Sequence, residues 1–162
     1  SYVFVSSHYL IINYWNMRWI LMLTMVLAAV VSCKKDDDRP LRYFEVGINS
    51  NPSNWRDTSF VVATNKRQLL IQVEEELGKP LDQRKLVSGK LVEGSGGYNK
   101  NAGHTFNWHF DEKNWELTDF TIEIIDGLPY TDVHVNNDYW MDTVKRFGSW
   151  GSYIKREITD SL

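Results

Sequence analysis

The only cysteine in the chain decides how much of it can enter a folded core. Cys33 closes the apolar run Trp19-Ile20-Leu21-Met22-Leu23-Thr24-Met25-Val26-Leu27-Ala28-Ala29-Val30-Val31, which Met17-Arg18 precedes with a single positive charge. One basic residue, an apolar stretch and a small-residue ending make the layout of a secretory signal peptide. The run is also short of the roughly 20 residues that a bilayer-spanning helix needs.

The ending Val30-Val31-Ser32-Cys33 resembles a bacterial lipobox. In such signals the peptidase cuts before the cysteine, which then carries the lipid. Acyl chains bury about 0.8 kcal/mol per CH₂, so several together anchor firmly. The alternative is a transmembrane helix with an incidental cysteine, but Cys33 sits right at the apolar-to-polar edge. Lys34-Lys35-Asp36-Asp37-Asp38 is similar to the surface-export tag of Bacteroidetes lipoproteins, the other reading being a solvated charge run in a tether. The Asp triplet lacks the Gly and Glu of a calcium loop, so no metal is expected there. Residues 1–16 begin without Met and are expected to be translated sequence upstream of the start at Met17.

The expected organisation is therefore 1–16 upstream sequence, 17–32 signal peptide, 33–41 lipidated cysteine and acidic tether, and 42–158 a single domain. Removing residues 1–32 loses one basic residue, Arg18, and no acidic one, moving the net charge from −3 to −4. That balance excludes the basic footprint of a nucleic-acid binder. With Cys33 lipidated, the domain has no disulfide and no thiol nucleophile.

Periodicity then assigns the elements. Phe44, Val46 and Ile48 share one face of a strand over 43–48, and Thr58–Thr64 is a buried β-branched strand. A helix over about 66–77 carries Leu69, Leu70, Val73 and Leu77 inward and Glu74, Glu75 and Glu76 outward, with Asn65 as its cap and Gly78 and Pro80 after it. Leu86–Glu93 is a strand, followed by a Gly-rich hairpin tip at 94–101. Phe106, Trp108 and Phe110 share a face of the next strand, and a bulge near Thr118-Asp119 is expected from the switch in apolar parity. A short helix over about 137–147 and a last strand over 153–158 complete the chain, with Trp140 and Trp150 expected in the core. Strands outnumber helices without strict alternation, so the expected fold is α+β with a mainly antiparallel sheet.

Three stretches now carry a resemblance. Phe60-Val61-Val62-Ala63-Thr64, Phe106-Asn107-Trp108-His109-Phe110, and Ile122-Glu123-Ile124-Ile125-Asp126-Gly127 with Arg146–Ser152 together resemble the BP-seventy-four N-terminal domain family of secreted microbial proteins. Relatives are associated with cysteines at the positions of Ile125 and Gly148, both absent here. The resemblance implies one extracytoplasmic domain over roughly 42–158 and brings no catalytic role that could be carried over to these residues.

Candidate chemistry is sparse. His109 and Asp111 have the same parity, about 7 Å apart along a strand, and could form an acid/base pair or part of a metal site, with His134 and Asp132 a second such pair. His104 and His109 point to opposite faces of a strand. Gly148-Ser149-Trp150-Gly151-Ser152 does not match a nucleophile elbow, and the 94–101 loop lacks the Lys-Ser/Thr ending of a phosphate loop. Five tryptophans follow Cys33, more than a core of this size requires. Trp55, in a polar loop, and then Trp115 are the candidates for exposed recognition.

The reading that follows is an outer-membrane, surface-exposed lipoprotein whose single domain binds protein or glycan without catalysis and without a cofactor or metal. Its partners are the membrane, through Cys33, and that ligand, with no nucleic acid. The alternatives are a small hydrolase or metal-dependent enzyme using His109 and Asp111, with His134, and an inhibitor of secreted peptidases using the 94–101 loop.

Overall fold

The computed structural model describes residues 38–159. Cys33, the signal peptide, residues 1–16 and the first part of the tether lie outside the described residues. Strand β1 (Arg42–Ile48) pairs antiparallel with β2 (Ser59–Thr64) on one side and β8 (Ser152–Ile158) on the other. A second antiparallel sheet has β3 (Leu86–Glu93) at its centre, between β6 (Trp108–Thr118) and β7 (Arg146–Gly148). A two-stranded hairpin, β4 (Lys100–Asn101) with β5 (His104–Thr105), makes a third, small sheet. The α+β, mainly antiparallel fold follows from these pairings.

The core is aromatic. Phe60 of β2 meets Trp108, Phe110 and Phe147 of the other sheet at ring centroids 5.3–5.8 Å apart. Each such pair contributes about 0.5–1.5 kcal/mol beyond its burial. Every residue of β2 is buried because both its faces are covered: Phe60 and Val62 join the main core, while Val61 and Ala63 pack with Tyr98. Side chains stitch the sheets together. Trp115 Nε1 donates to Ala63 O at 2.8 Å, Thr64 Oγ1 to Glu112 O at 2.8 Å, and Ser152 Oγ accepts from Val87 N at 3.0 Å.

Helix α1 (Arg67–Leu77) buries Leu69, Leu70 and Val73 as its stripe requires. Two local expectations fail there. Asn65 does not cap the helix: it is buried where β2 turns sharply into α1, and its Nδ2 donates to Arg39 O at 3.2 Å. Glu76 does not face out with Glu74 and Glu75. It is buried, pairing Lys79 Nζ at 2.7 Å and accepting Lys85 N at 2.8 Å, which ties the helix to the chain entering β3.

The bulge expected near Thr118-Asp119 is not found: β6 ends at Thr118, and Phe120 and Ile122 beyond it are exposed rather than turned to the core, while a bulge lies earlier in the strand. Leu91 opposes Phe110 while Gly89 opposes Trp115, so three extra residues bulge from β6. The Asp111 carboxylate closes that bulge, accepting Lys113 N at 3.0 Å and Asn114 Nδ2 at 2.8 Å. Gly89 is what lets the bulge pack, because a Cβ there would lie 2.5 Å from the Phe110 ring.

The helix expected over 137–147 is replaced by two π-wound stretches, Pro129–His134 and Trp140–Val144, linked by the short α2 (Asn137–Tyr139). Lys145 then takes φ +63, and the chain enters β7. Val133 of the first stretch and Trp140 of the second are both buried. Trp150 is not in the core: it is 62% exposed, with its indole N–H on Thr121 O at 2.9 Å.

Candidate functional site

Trp55, Arg56 and Asp57 form one 3-10 turn, capped where Asn54 Oδ1 accepts Arg56 N at 3.1 Å. Asp57 is wholly buried. One carboxylate oxygen accepts Tyr130 N at 2.7 Å and Thr131 N at 2.9 Å, and the other accepts Thr131 Oγ1 at 2.6 Å. Asn101 of β4 donates to Trp55 O at 2.9 Å. Trp108, deep in the core, holds the π-wound turn from beneath through Nε1 to Pro129 O at 3.1 Å. A turn, a hairpin and a π-wound segment, far apart in sequence, are thus bound into one corner.

Above these anchors the side chains form a ladder of rings. Arg56 Cζ lies 4.6 Å from the Trp55 ring and 5.2 Å from the Tyr130 ring. Tyr130 stacks on His134 at 5.0 Å and an interplanar angle of 20°. His104 meets Tyr130 edge-on at 5.0 Å and His134 at 4.6 Å. Trp55 is 46% exposed at the outer end of the ladder.

Hydrogen bonding fixes the state of one imidazole. His134 Nδ1 faces Asn107 N at 3.1 Å and must accept from that amide, so the ring proton sits on Nε2, which is a donor. Both histidines are held below the ordinary imidazole range. Burial is the main cause for each; the positive charge of Arg56 adds to it for both, and His104 itself adds to it for His134. His104 Nε2 and Asn107 Oδ1 are buried without a protein partner. The corner therefore offers flat ring faces, a stacked cation and neutral imidazoles.

The other sequence-selected residues lie elsewhere. His109 is buried, with Nδ1 2.6 Å from Gly94 O and Nε2 3.7 Å from Glu112 Oε1. Asp111 is committed to its own bulge. Burial works to raise its carboxyl, but the N–H donors of Asn114 and Lys113 prevail and lower it. No hydrogen bond joins His109 to Asp111, and His134 sits with the ladder, so the three do not converge. Among the described residues, no group of three His, Cys, Asp or Glu side chains could hold a metal ion. Trp115 is 2% exposed and belongs to the sheet-to-sheet contact, which removes it as a recognition surface. The 94–101 loop is no bare hairpin tip: Tyr98 and Asn99 are buried, and Asn99 accepts Val61 N at 2.9 Å and donates to Trp108 O at 2.8 Å.

A second surface feature follows β6. Phe120 and Ile122 are 73% and 74% exposed along an extended segment. With Ile124, Val144, Ser88 and Arg146 they line a groove of about 380 Å³. Arg146 spans its rim to Glu116.

A model of the BP-seventy-four N-terminal domain matches residues 41–161. The chain belongs to that family. No curated protein and no solved structure matches it. The stretch matched to the family contains the whole ladder, from Trp55 to His134. The sequence singles out Trp55 and His134 but not Arg56 or Tyr130, and it sets His104 aside. No local motif joins these residues; the one signal is Arg56-Asp57 beside an unexplained Trp.

Proposed function

We propose that this BP-seventy-four domain is a non-catalytic ligand-binding module. Cys33, lipidated, displays it at the outer membrane of a Bacteroidetes-type cell, and the Trp55–Arg56–Tyr130–His134 corner recognises a glycan or protein. The observation that carries this reading is the ring ladder itself. Trp55 and Arg56 are held partly exposed by anchors that are wholly buried, Asp57 foremost. Exposed Trp, Tyr and Arg fixed in place are the side chains that dominate recognition surfaces, because they bring large contact area at small entropic cost.

A binding screen with the full chain in detergent, against oligosaccharides and peptides, tests this. Trp55→Ala is expected to weaken the ligands found by about tenfold or more. Unchanged affinity in Trp55→Ala would remove the corner as the site.

The groove beside Phe120 supports a second reading, a protein contact through apolar surface. Large side chains exposed side by side on a soluble domain favour association. In that case Phe120→Ala, rather than Trp55→Ala, would weaken binding.

A further inference from the structure

Four arginines of the domain commit their guanidinium to protein acceptors. Arg42 pairs with Glu157 at 2.6 Å and Glu74 at 2.7 Å, and Arg156 with Glu45 at 2.6 Å. Arg146 holds Glu116 and Ser88, and Arg84 donates to the carbonyls of Leu77, Lys79 and Ile154. Arg56 is different. Among the described residues its guanidinium donates to no acceptor and meets no carboxylate, and is fixed by the Trp55 and Tyr130 rings instead.

The neighbouring carboxylates do not occupy its donors. Asp57 has both oxygens engaged by Tyr130 N, Thr131 N and Thr131 Oγ1. Asp132 of the π-wound turn accepts Asp126 N and Leu128 N. The remaining titratable groups of the ladder, Tyr130, His134 and His104, carry no negative charge, and His134 Nε2–H is a donor. A planar cation already stacked loses little freedom when a carboxylate docks on its fork of donors.

We propose that the corner binds an acidic saccharide: Arg56 takes the carboxylate of a uronic acid residue, and the C–H face of the sugar ring lies on Trp55. This rests on the corner being the ligand site. A sugar is favoured over an acidic peptide because Trp55 stands directly beside the cation. A uronate joins a flat C–H face rigidly to its carboxylate, whereas an acidic side chain carries its charge on a flexible stem with no ring. A proton linkage follows. An anion beside His104 favours its charged form, while His134, whose Nδ1 is held by the Asn107 amide, stays neutral; binding therefore takes up a proton and tightens as the pH falls.

The test is calorimetric titration of the full chain in detergent with tetragalacturonate, tetragalactose and tetraglutamate, at pH 7.5 and 5.5, for wild type, Arg56→Gln and Trp55→Ala. Tetragalacturonate is expected to bind about tenfold tighter than tetragalactose, and Arg56→Gln to weaken tetragalacturonate far more than tetragalactose, so that the difference between the two sugars is lost. The acidic sugar is expected to bind roughly threefold tighter at pH 5.5, with buffer-dependent heats that show proton uptake. Absence of tetragalacturonate binding, equal affinity for the neutral sugar, or tighter binding of tetraglutamate would overturn the inference. Loss of any other ligand in Trp55→Ala would still leave the corner as the binding site, which separates the two failures.

Discussion

The Asp57 carboxylate accepts the backbone N–H of Tyr130 at 2.7 Å, joining segments 73 residues apart in the chain. This bond and its two partners on Thr131 put the Arg56 turn against the π-wound turn, and with it the two halves of the ladder. Removing Asp57 leaves two backbone N–H groups near the core without an acceptor. Asp57→Ala is expected to lower stability by about 3 kcal/mol in urea denaturation. A loss under about 1 kcal/mol would mean that the turns are held together by packing instead.

Trp55 and Trp115 look alike in the sequence and should behave oppositely. Trp115→Ala empties a core site and breaks the bond to Ala63 O, with an expected cost of about 3–5 kcal/mol. Trp55→Ala at a half-exposed turn should cost about 1 kcal/mol or less while acting on ligand binding. Thermal melts of the two variants check this, and equal losses would refute the division of roles.

Much of this division was legible in part. The alternation of Phe44, Val46 and Ile48 and the stripe of α1 appear directly in residue spacing, because a sheet or helix face repeats at short range. The bulge at 111–114 was missed: the parity of Phe120, Ile122 and Ile124 drew attention to 118–119, and only the register with Gly89 and Leu91 reveals the extra residues. The ladder was not legible. Arg56, His104 and Tyr130 meet only through tertiary anchors, Asp57 and Asn101, whose hydrogen bonds leave no periodic trace. Glu76 and Trp150 misled for the same reason: a glutamate within an acidic run and a tryptophan before a strand reveal nothing of the partner that buries one and the turn that exposes the other.

His104 and His134 make stability depend on acidity. Both have folded values below the unfolded one of about 6.5, chiefly through burial. As the pH falls through about 6.5 the unfolded chain takes up protons first, so the stability held by the neutral pair is complete above about pH 7 and is lost on descending through their folded values. The melting temperature should fall between pH 7 and pH 5. His104→Phe, which keeps an aromatic ring and removes a titrating group, should flatten that fall. An identical slope in the variant would contradict the assignment.

Anchoring is tested at Cys33. Cys33→Ser should move the protein from the membrane fraction to the soluble extracytoplasmic fraction and prevent incorporation of labelled palmitate. Retention in the membrane without label would instead support a membrane-spanning apolar run.

The central claim is that the Trp55–Arg56 corner is where ligand lands, and the indole and guanidinium N–H resonances of ¹⁵N-labelled full chain report on it directly. During titration with oligosaccharides and peptides, the Trp55 Nε1–H and Arg56 Nε–H signals are predicted to move. The Trp115 Nε1–H signal, locked on Ala63 O, should stay in place. Shifts gathered at Phe120, Ile122 and Trp150, with Trp55 unmoved, would contradict the account.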